Sequence, residues 1–135
     1  MILPMPALQE YLHEIYPQTH NRFLITRLCD TELDMTLHIT DADLRPGGTL
    51  SGPSMFTLVD CAFYALVLSQ IGRKALAVTN GVHIQFMRKP KPVDLTCTAR
   101  MLKKGRSLCM GDAMVYAEDI LVAHANLSYA IPPKG

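Results

Sequence analysis

The feature that most constrains this chain is an apolar segment, residues 55–71, which is long enough for about five turns of helix. Pro53 stands just before it, where proline suits the first turn of a helix. Gly52 can act as the cap and Gly72 ends the segment. Apolar residues occupy all sides of the predicted helix, so it must be buried all round. The rest of the chain therefore has to fold around it.

The flanking segments predict strands, apart from one short amphipathic helix at residues 6–16 that Pro17 ends. A turn-rich segment, residues 41–52, precedes the long helix. Apolar residues recur at period two, as in half-buried strands, at Phe23, Ile25, Leu33, Met35, Leu37 and Ile39. Four strand-like runs follow the long helix, at residues 75–88, 93–104, 106–117 and 120–130. Because short turns join these runs, we expect an α+β fold in which an antiparallel sheet wraps around a long central helix.

Length and composition bound the class of protein. The 135 residues suit one domain, which we expect to span residues 1–135. Hydrophobic residues make up 49% and charged residues only 19%, which favours a homo-oligomer that buries apolar surface between copies. A net charge of +1 argues against a nucleic-acid partner. The longest apolar run, at about residues 61–68, is too short to span a membrane.

The cysteines predict free thiols in a reduced compartment. Cys29, Cys61, Cys97 and Cys109 form no C-x-x-C pair and have no histidine cluster beside them, so the sequence predicts no metal site. Three of them lie in apolar runs, where a buried free thiol is usual. Residues 1–7 contain two prolines and no basic flank, unlike a signal peptide. These features predict a cytoplasmic protein.

Asp60 is the exception within the apolar helix, because Val59 and Cys61 flank it and aromatic residues occupy the neighbouring turns. A carboxylate in such surroundings is costly unless it is paired, neutralised or functional. The structural alternative is a carboxylate bonded to Tyr64 or to a backbone amide of the core. Perturbed carboxylates gather at active sites, so we interpret Asp60 as a catalytic candidate.

The start of the long helix is the second candidate. Free N–H groups and the helix dipole can polarise a carbonyl oxygen there, although an ordinary capped helix explains the same residues. Gly52 keeps its N–H and allows close approach of a substrate, whereas Pro53 has no N–H. Asp60 follows Gly52 by eight residues, which is about 12 Å along a helix. One carbonyl cannot reach both groups of one helix, so joint action predicts a site shared by two chains.

Other motifs are weaker. Residues 47–54 mimic a phosphate-binding loop but carry Pro53 where the essential lysine should be. The histidines are scattered, and Cys61 points to another face of the helix than Asp60, so neither predicts a nucleophile or a ligand set. Basic residues occur at predicted strand ends and turns, as a solvated rim or a site for phosphate groups. They are Arg88, Lys89, Lys91, Lys103, Lys104 and Arg106.

Three blocks of sequence carry a resemblance to a known family. They are residues 45–60 (RPGGTLSGPSMFTLVD), 77–94 (AVTNGVHIQFMRKPKPVD) and 102–108 (LKKGRSL). In order and spacing they resemble the hotdog acyl-CoA thioesterases of the phenylacetate-degradation type, from about Leu33 to the end. In that family the central helix usually starts with His-Gly-Gly, and an acid follows nine residues after the His. Here Ser51, Gly52 and Pro53 hold the three positions, as in a Ser-Gly-Pro subgroup, and Asp60 is the acid.

The resemblance implies roles for individual residues. Asp60 would activate water or attack the thioester carbonyl, the Gly52 N–H would bind the oxyanion, and Thr79 would help hold the water. Ser51 replaces the usual His, and Arg45 replaces an Asn that many relatives place near the thioester. The helix start and a basic rim would bind substrate, and Phe56 and Tyr64 would line an aromatic or a medium-chain acyl pocket. The full substrate-binding set is Arg45, Ser51, Pro53, Ser54, Phe56, Tyr64, Arg88, Lys89, Lys104 and Arg106.

These implications lead to one functional expectation with two alternatives. We expect an acyl-CoA thioesterase, a homodimer or a dimer of dimers, that needs no cofactor or metal. A non-catalytic acyl-CoA-binding protein of the same fold is the first alternative, since one fold hosts many functions. It has no need of a carboxylate in the helix. A hydratase or dehydratase is the second, and it would pair its acid with a nearby His, whereas none lies between His38 and His83.

Overall fold

The computed structural model describes residues 2–133. Within them the helices are α1 (Met5–Ile15) and α2 (Gly52–Ile71), with short 3₁₀ turns at Pro17–Thr19 and Asp41–Asp43. The strands are β1 (Phe23–Leu28), β2 (Glu32–Leu37), β3 (Leu44–Arg45), β4 (Thr49–Leu50), β5 (Val78–Phe86), β6 (Leu95–Lys104), β7 (Leu108–Ala117) and β8 (Ile120–Ala130). The predicted order of elements is confirmed. The turn-rich segment adds the β3–β4 hairpin, which the sequence analysis did not predict.

Six strands form one antiparallel sheet in the order β1-β2-β6-β7-β8-β5. Every second residue of the inner strands faces α2, so residues such as Leu33, Met35, Leu95 and Cys97 are fully buried. β7 lies close to the helix at Gly111, because a Cβ there would clash with the Phe63 ring and with the Arg100 carbonyl oxygen. The predicted α+β fold, a sheet wrapped around a long central helix, is confirmed.

The expectation that α2 is buried all round is wrong along one stripe. Phe56 and Thr57 are exposed, and Asp60 and Tyr64 are half-buried, whereas the opposite face lies in the core. The reason is that one sheet covers only one side of a helix. By length and composition, α2 is long and apolar enough to cross a membrane. However, 67% of its most apolar 18-residue stretch is buried inside the protein.

The cap of α2 differs from the predicted one. Ser51 is the N-cap residue, and its side-chain oxygen accepts a hydrogen bond from the Ser54 N–H, while Gly52 is already the first helical residue. A serine hydroxyl can satisfy a free N–H of the first turn, which glycine cannot do. Gly52 therefore lies inside the helix start, with its own N–H free of an intrahelical acceptor.

β5 is an edge strand of nine residues. It pairs with β8 on one side, and its other side has no partner strand among residues 2–133. Val78 at its start is 56% exposed and Phe86 at its end is 50% exposed. A long edge with exposed apolar side chains is a template for pairing with another strand.

The cysteines stand as the sequence analysis predicted. Cys61, Cys97 and Cys109 are buried free thiols, and Cys29 is an exposed one. Burial raises the pKa of Cys61 to about 12, with a smaller contribution from the Asp60 charge, so this thiol stays neutral. A thiol that stays protonated is a poor nucleophile, which agrees with its exclusion above.

Candidate active site

The Asp60 side chain is held by hydroxyl groups from two strands. Thr79 Oγ1 and Tyr129 Oη each donate a hydrogen bond to Oδ1 of Asp60, both at 2.6 Å. Tyr129 Oη also lies 3.0 Å from the main-chain oxygen of Asp60. Thr79 and Tyr129 are register partners on β5 and β8, so the sheet presents both hydroxyls at one point of α2. Tyr64, a partner of Asp60 in the structural alternative above, instead donates to the Ala75 carbonyl oxygen at 2.8 Å.

Asp60 opens into a cavity of about 360 Å³, here called the acid pocket. It is lined by Tyr16, Asp60, Tyr64, Ala77, Val78, Thr79 and Tyr129. None of these residues carries a positive charge. Burial, followed by the charge of Asp60, raises the pKa of Tyr129, and burial raises the pKa of Tyr64 to about 12. Both phenols therefore remain neutral hydrogen-bond donors.

A second cavity, of about 470 Å³, lies at the start of α2 and is here called the cationic pocket. Its lining residues are Arg45, Thr49, Leu50, Gly52, Pro53, Met55, Phe86, Met87, Arg88, Lys89 and Pro90. The three cations of this set are exposed, and none is within 4 Å of a carboxylate in the part of the chain that the structure describes. Cations without partners beside an apolar wall suit an anionic ligand.

Phe86 covers the first helical residue at the edge of this pocket. A Cβ added to Gly52 would lie 3.3 Å from Cζ of the Phe86 ring, which is tighter than an ordinary contact. The Gly52 N–H has no backbone acceptor among the described residues. Glycine at this position thus leaves a free donor and avoids a tight contact with the Phe86 ring.

A buried carboxylate anchors the helix start from the other side. Asp43 accepts hydrogen bonds from Arg22 Nη2 at 2.6 Å, Ser54 Oγ at 2.7 Å and the Thr40 N–H at 2.8 Å. Burial alone would raise the pKa of Asp43, but the bonds from Ser54, Thr40 and Arg22 together hold it below its usual range. Ser51 Oγ also donates to Ser54 Oγ at 2.9 Å. The hydroxyls of Ser51 and Ser54 thus serve the cap rather than the cationic pocket.

The structure divides the predicted site residues between the two pockets. Asp60, Thr79 and Tyr64 line the acid pocket, and Gly52, Pro53, Arg45, Arg88 and Lys89 line the cationic pocket. Gly52 and Asp60 are separated by about 12 Å of helix, as expected. Phe56, 40% exposed, lies on the open stripe of α2 and lines neither cavity. Thr79 donates its proton to Asp60, so it is available to a water only as an acceptor.

The expected basic rim is not continuous within one chain. Lys104 on β6 lies opposite Cys109 at the start of β7, and Arg106 lines a separate cavity with Lys74. Arg88 lies near the other end of β7, since its N–H bonds the Val122 carbonyl oxygen. About six residues of strand, or about 20 Å, separate the two basic groups. β5 and β6 run in opposite directions in the sheet, so the basic residues at their carboxyl ends lie at opposite ends of the sheet.

Sequence reasoning missed Tyr129. The residue continues the period-two pattern of buried positions on β8, Ala125 and Leu127, so its inward direction could have been inferred. A buried phenol usually has a hydrogen-bond partner. The identity of that partner depends on the β5–β8 register, for which the sequence contains no local signal.

The comparisons with known proteins concern the family and the fold. The model of the thioesterase superfamily matches residues 47–124, more than half of the chain. The chain belongs to the thioesterase superfamily. A crystal structure named putative thioesterase, from Silicibacter sp. TM1040, is 45% identical over 98% of this chain and 94% of that one, with a TM-score of 0.92. Its similarity and the family match identify the fold as the hotdog fold of this superfamily.

More distant neighbours have the same fold. A hypothetical thioesterase protein with coenzyme A from Streptococcus pneumoniae is 21% identical, with a TM-score of 0.79 over 95% of this chain and 98% of that one. A mutant of the phenylacetic acid degradation protein PaaI from Thermus thermophilus is 18% identical, with a TM-score of 0.76 over 86% of this chain and 99% of that one. The search of curated proteins finds no match to the chain.

Proposed function

We propose that this chain is an acyl-CoA thioesterase, of the phenylacetate-degradation type with Ser-Gly-Pro at the helix start, that hydrolyses its substrate with Asp60. The observation that carries the proposal is the Asp60 carboxylate, which interrupts an apolar helix and opens into a pocket while Thr79 holds one of its oxygens at 2.6 Å. The single-domain chain would act in the cytoplasm as a homodimer or a dimer of dimers. Its membership in the thioesterase superfamily supports the reaction class.

The chemistry requires a base or nucleophile and an oxyanion donor. Asp60 either takes a proton from a water that adds to the thioester carbonyl carbon, or adds to that carbon itself and forms an anhydride that water then cleaves. In both cases the carbonyl oxygen becomes negative, and the Gly52 N–H stabilises it with the positive end of the helix dipole. The C–S bond breaks, and the products are the free acid and the protonated thiol of coenzyme A.

The cationic pocket suits the phosphate groups of the substrate. Arg45, Arg88 and Lys89 surround the helix start at which the oxyanion would form. A thioester with its carbonyl at Gly52 therefore has unpaired cations within reach of its pantetheine and nucleotide side. The Streptococcus pneumoniae neighbour contains coenzyme A, which supports a ligand of this class for the fold.

The shared site follows from the two ends of β5. Thr79 near the start of the strand bonds Asp60, and Phe86 at its end lies against Gly52. If two β5 strands pair antiparallel about an axis between residues 82 and 83, Phe86 lies opposite Thr79 of the partner subunit. The Gly52 N–H then faces Asp60 of the partner subunit across strands about 4.8 Å apart. The unpaired edge of β5 and the open stripe of α2 support this arrangement.

A panel of acyl-CoA and aryl-CoA thioesters, assayed for free thiol, tests the proposal. We expect hydrolysis of at least one member, and a loss of at least about 10²-fold in kcat for Asp60→Asn, because the variant keeps the shape and removes the charge. Asp119→Asn is the matched control: Asp119 is exposed in the β7–β8 turn at a φ of 67°, which asparagine tolerates.

Two outcomes would contradict the proposal in different ways. Near-full activity of Asp60→Asn would show that another group performs the chemistry. Binding of acyl-CoA by calorimetry without hydrolysis of any thioester would favour the non-catalytic binding protein.

A further inference from the structure

Two donors converge on one oxygen of Asp60. Thr79 Oγ1 and Tyr129 Oη both bond Oδ1, whereas Oδ2 receives no hydrogen bond from the described residues. Oδ2 is not a buried atom without a partner, so it keeps surface that solvent can reach. Since Asp60 lines the acid pocket, Oδ2 is the carboxylate oxygen that a water or a thioester can reach. The two oxygens of this carboxylate therefore have different surroundings.

We propose that Tyr129 is a positioning residue that, together with Thr79, locks the Asp60 carboxylate so that Oδ2 alone is the reacting oxygen. The inference rests on the proposed function, and it assigns different roles to the two oxygens of the Asp60 carboxylate. A carboxylate with one donor can rotate about χ2 and exchange its oxygens, whereas two donors from different strands define one orientation. A fixed orientation matters because small misplacements of a reacting atom slow a reaction strongly.

Tyr129 is itself held firmly. The residue is 2% exposed, and its ring stacks on Tyr64 with centroids 5.9 Å apart and lies 5.6 Å from the Phe63 ring. Its hydroxyl has one proton, which bonds Oδ1 at 2.6 Å, and the main-chain oxygen of Asp60 at 3.0 Å is a second acceptor within reach. When the side chain at position 60 changes, the phenol can donate to that oxygen instead. Its raised pKa keeps it a donor at neutral and acidic pH.

The alternative is that Asp60 merely satisfies a buried phenol and that Tyr129 has only a structural role. The two roles differ in what they predict once the carboxylate is absent. A positioning residue acts only through the carboxylate, so its loss should have no further effect after Asp60 is replaced. A purely structural residue should lower the rate in both backgrounds.

The first test is Tyr129→Phe, which keeps the ring and its stacking and removes the donor. We expect kcat to fall by about 10-fold or more, in line with a lost hydrogen bond to a charged group, with KM changed by less than about twofold. Tyr116→Phe is the matched control, because its hydroxyl contacts Met114 Sδ at 3.6 Å on the outer face of the sheet. It should leave kcat and KM unchanged.

The second test removes Asp60 first. If Tyr129 acts through the carboxylate, then Tyr129→Phe should have no further effect on the residual rate of Asp60→Asn. An equal loss in both backgrounds would overturn the inference and favour a structural role. Near-full activity of Asp60→Asn would instead overturn the proposed function, so the two failures are distinguishable.

A third variant covers a fold failure of Tyr129→Phe, which thermal unfolding would reveal. Replacing Tyr129 with 3-fluorotyrosine keeps both the ring and the hydroxyl donor. We expect its kcat to stay within about threefold of the wild-type value, because the donor to Oδ1 is retained. A loss of about 10-fold or more in the folded protein would overturn the inference.

Discussion

The acid pocket and the cationic pocket are built on the same helix with opposite chemistry. The acid pocket has one carboxylate, held by the neutral hydroxyls of Thr79 and Tyr129, and none of its lining residues is cationic. The cationic pocket has a free N–H at Gly52 and three exposed cations, and none of its lining residues is acidic. The first can supply a base or nucleophile, and the second can bind negative charge.

The difference teaches why one chain is half of the proposed site. Thioester hydrolysis requires both an acidic residue at the carbonyl carbon and a donor at its oxygen. One helix separates these groups by about 12 Å, which a carbonyl group cannot span. Under the proposed mechanism, the two pockets act together only when two chains combine them.

The largest expected effect is complementation between chains that each lack one pocket. Asp60→Asn and Gly52→Val should each lose at least about 10²-fold in kcat/KM, the second because its side chain crowds Phe86 and the oxyanion position. In a mixed dimer, one site combines the intact Gly52 of one chain with the intact Asp60 of the other. After co-expression with two affinity tags, the purified mixed dimer should regain up to about half of wild-type activity.

The converse dimer is the control for this experiment. A wild-type chain paired with a Gly52→Val/Asp60→Asn chain contains two broken sites if sites are shared, and one intact site if they are not. We therefore expect the mixed dimer of single variants to be active and this one to be dead. The reverse result would contradict the shared site, since each chain would then contain a complete site of its own.

A second prediction concerns how the two pockets are secured. The cationic pocket depends on the Asp43 carboxylate at the helix start, whereas hydroxyls hold Asp60. Asp43→Asn should lower the free energy of unfolding at pH 7 by about 2 kcal/mol, as for hydrogen bonds to a charged group. Asp41→Asn, exposed in the same turn, should change it by less than about 0.5 kcal/mol. Urea unfolding of the three proteins measures both values.

The effect of Asp43→Asn should also depend on pH. The pKa of Asp43 is lowered in the folded protein, so its contribution is fully present above the unfolded value of about 3.9. It is lost as the pH falls from about 4 through the lowered folded value, and the wild-type and variant curves should then converge. Curves that stay parallel down to about pH 2 would show that the Asp43 charge does not stabilise the helix start.

The smallest expected effect is on substrate affinity and decides which basic group meets the phosphates. Combined Arg88→Glu and Lys89→Glu should raise KM for acyl-CoA by about 10-fold and leave a truncated thioester without the nucleotide nearly unchanged. The same reversal at Lys104 and Arg106 tests the group at the other end of the sheet. Lys91→Glu is the control, since Lys91 is exposed on the same loop but pairs with Glu118 at 3.5 Å. Equal losses on both substrates would argue against phosphate contact.

Much of the fold could be predicted because its signals are local. The continuous apolar run predicts α2, period-two alternation predicts β1 and β2, and strand-like runs separated by short turns predict the four later strands. The cost of a carboxylate in such a helix singles out Asp60 without knowledge of any contact. The predicted cap was wrong: Ser51, not Gly52, caps α2, because its side-chain oxygen accepts a hydrogen bond from the Ser54 N–H.

The sequence by itself determined the elements and the charged residue that interrupts one of them. Only the tertiary structure decided what that residue contacts. Tyr129 is 69 positions from Asp60, and its hydroxyl reaches Oδ1 only because β8 pairs with β5 and both cross α2. The same register separates Arg88 from Lys104 and leaves β5 at the edge. No hairpin turn joins β5 to β8, so their pairing depends on packing between segments far apart in the chain.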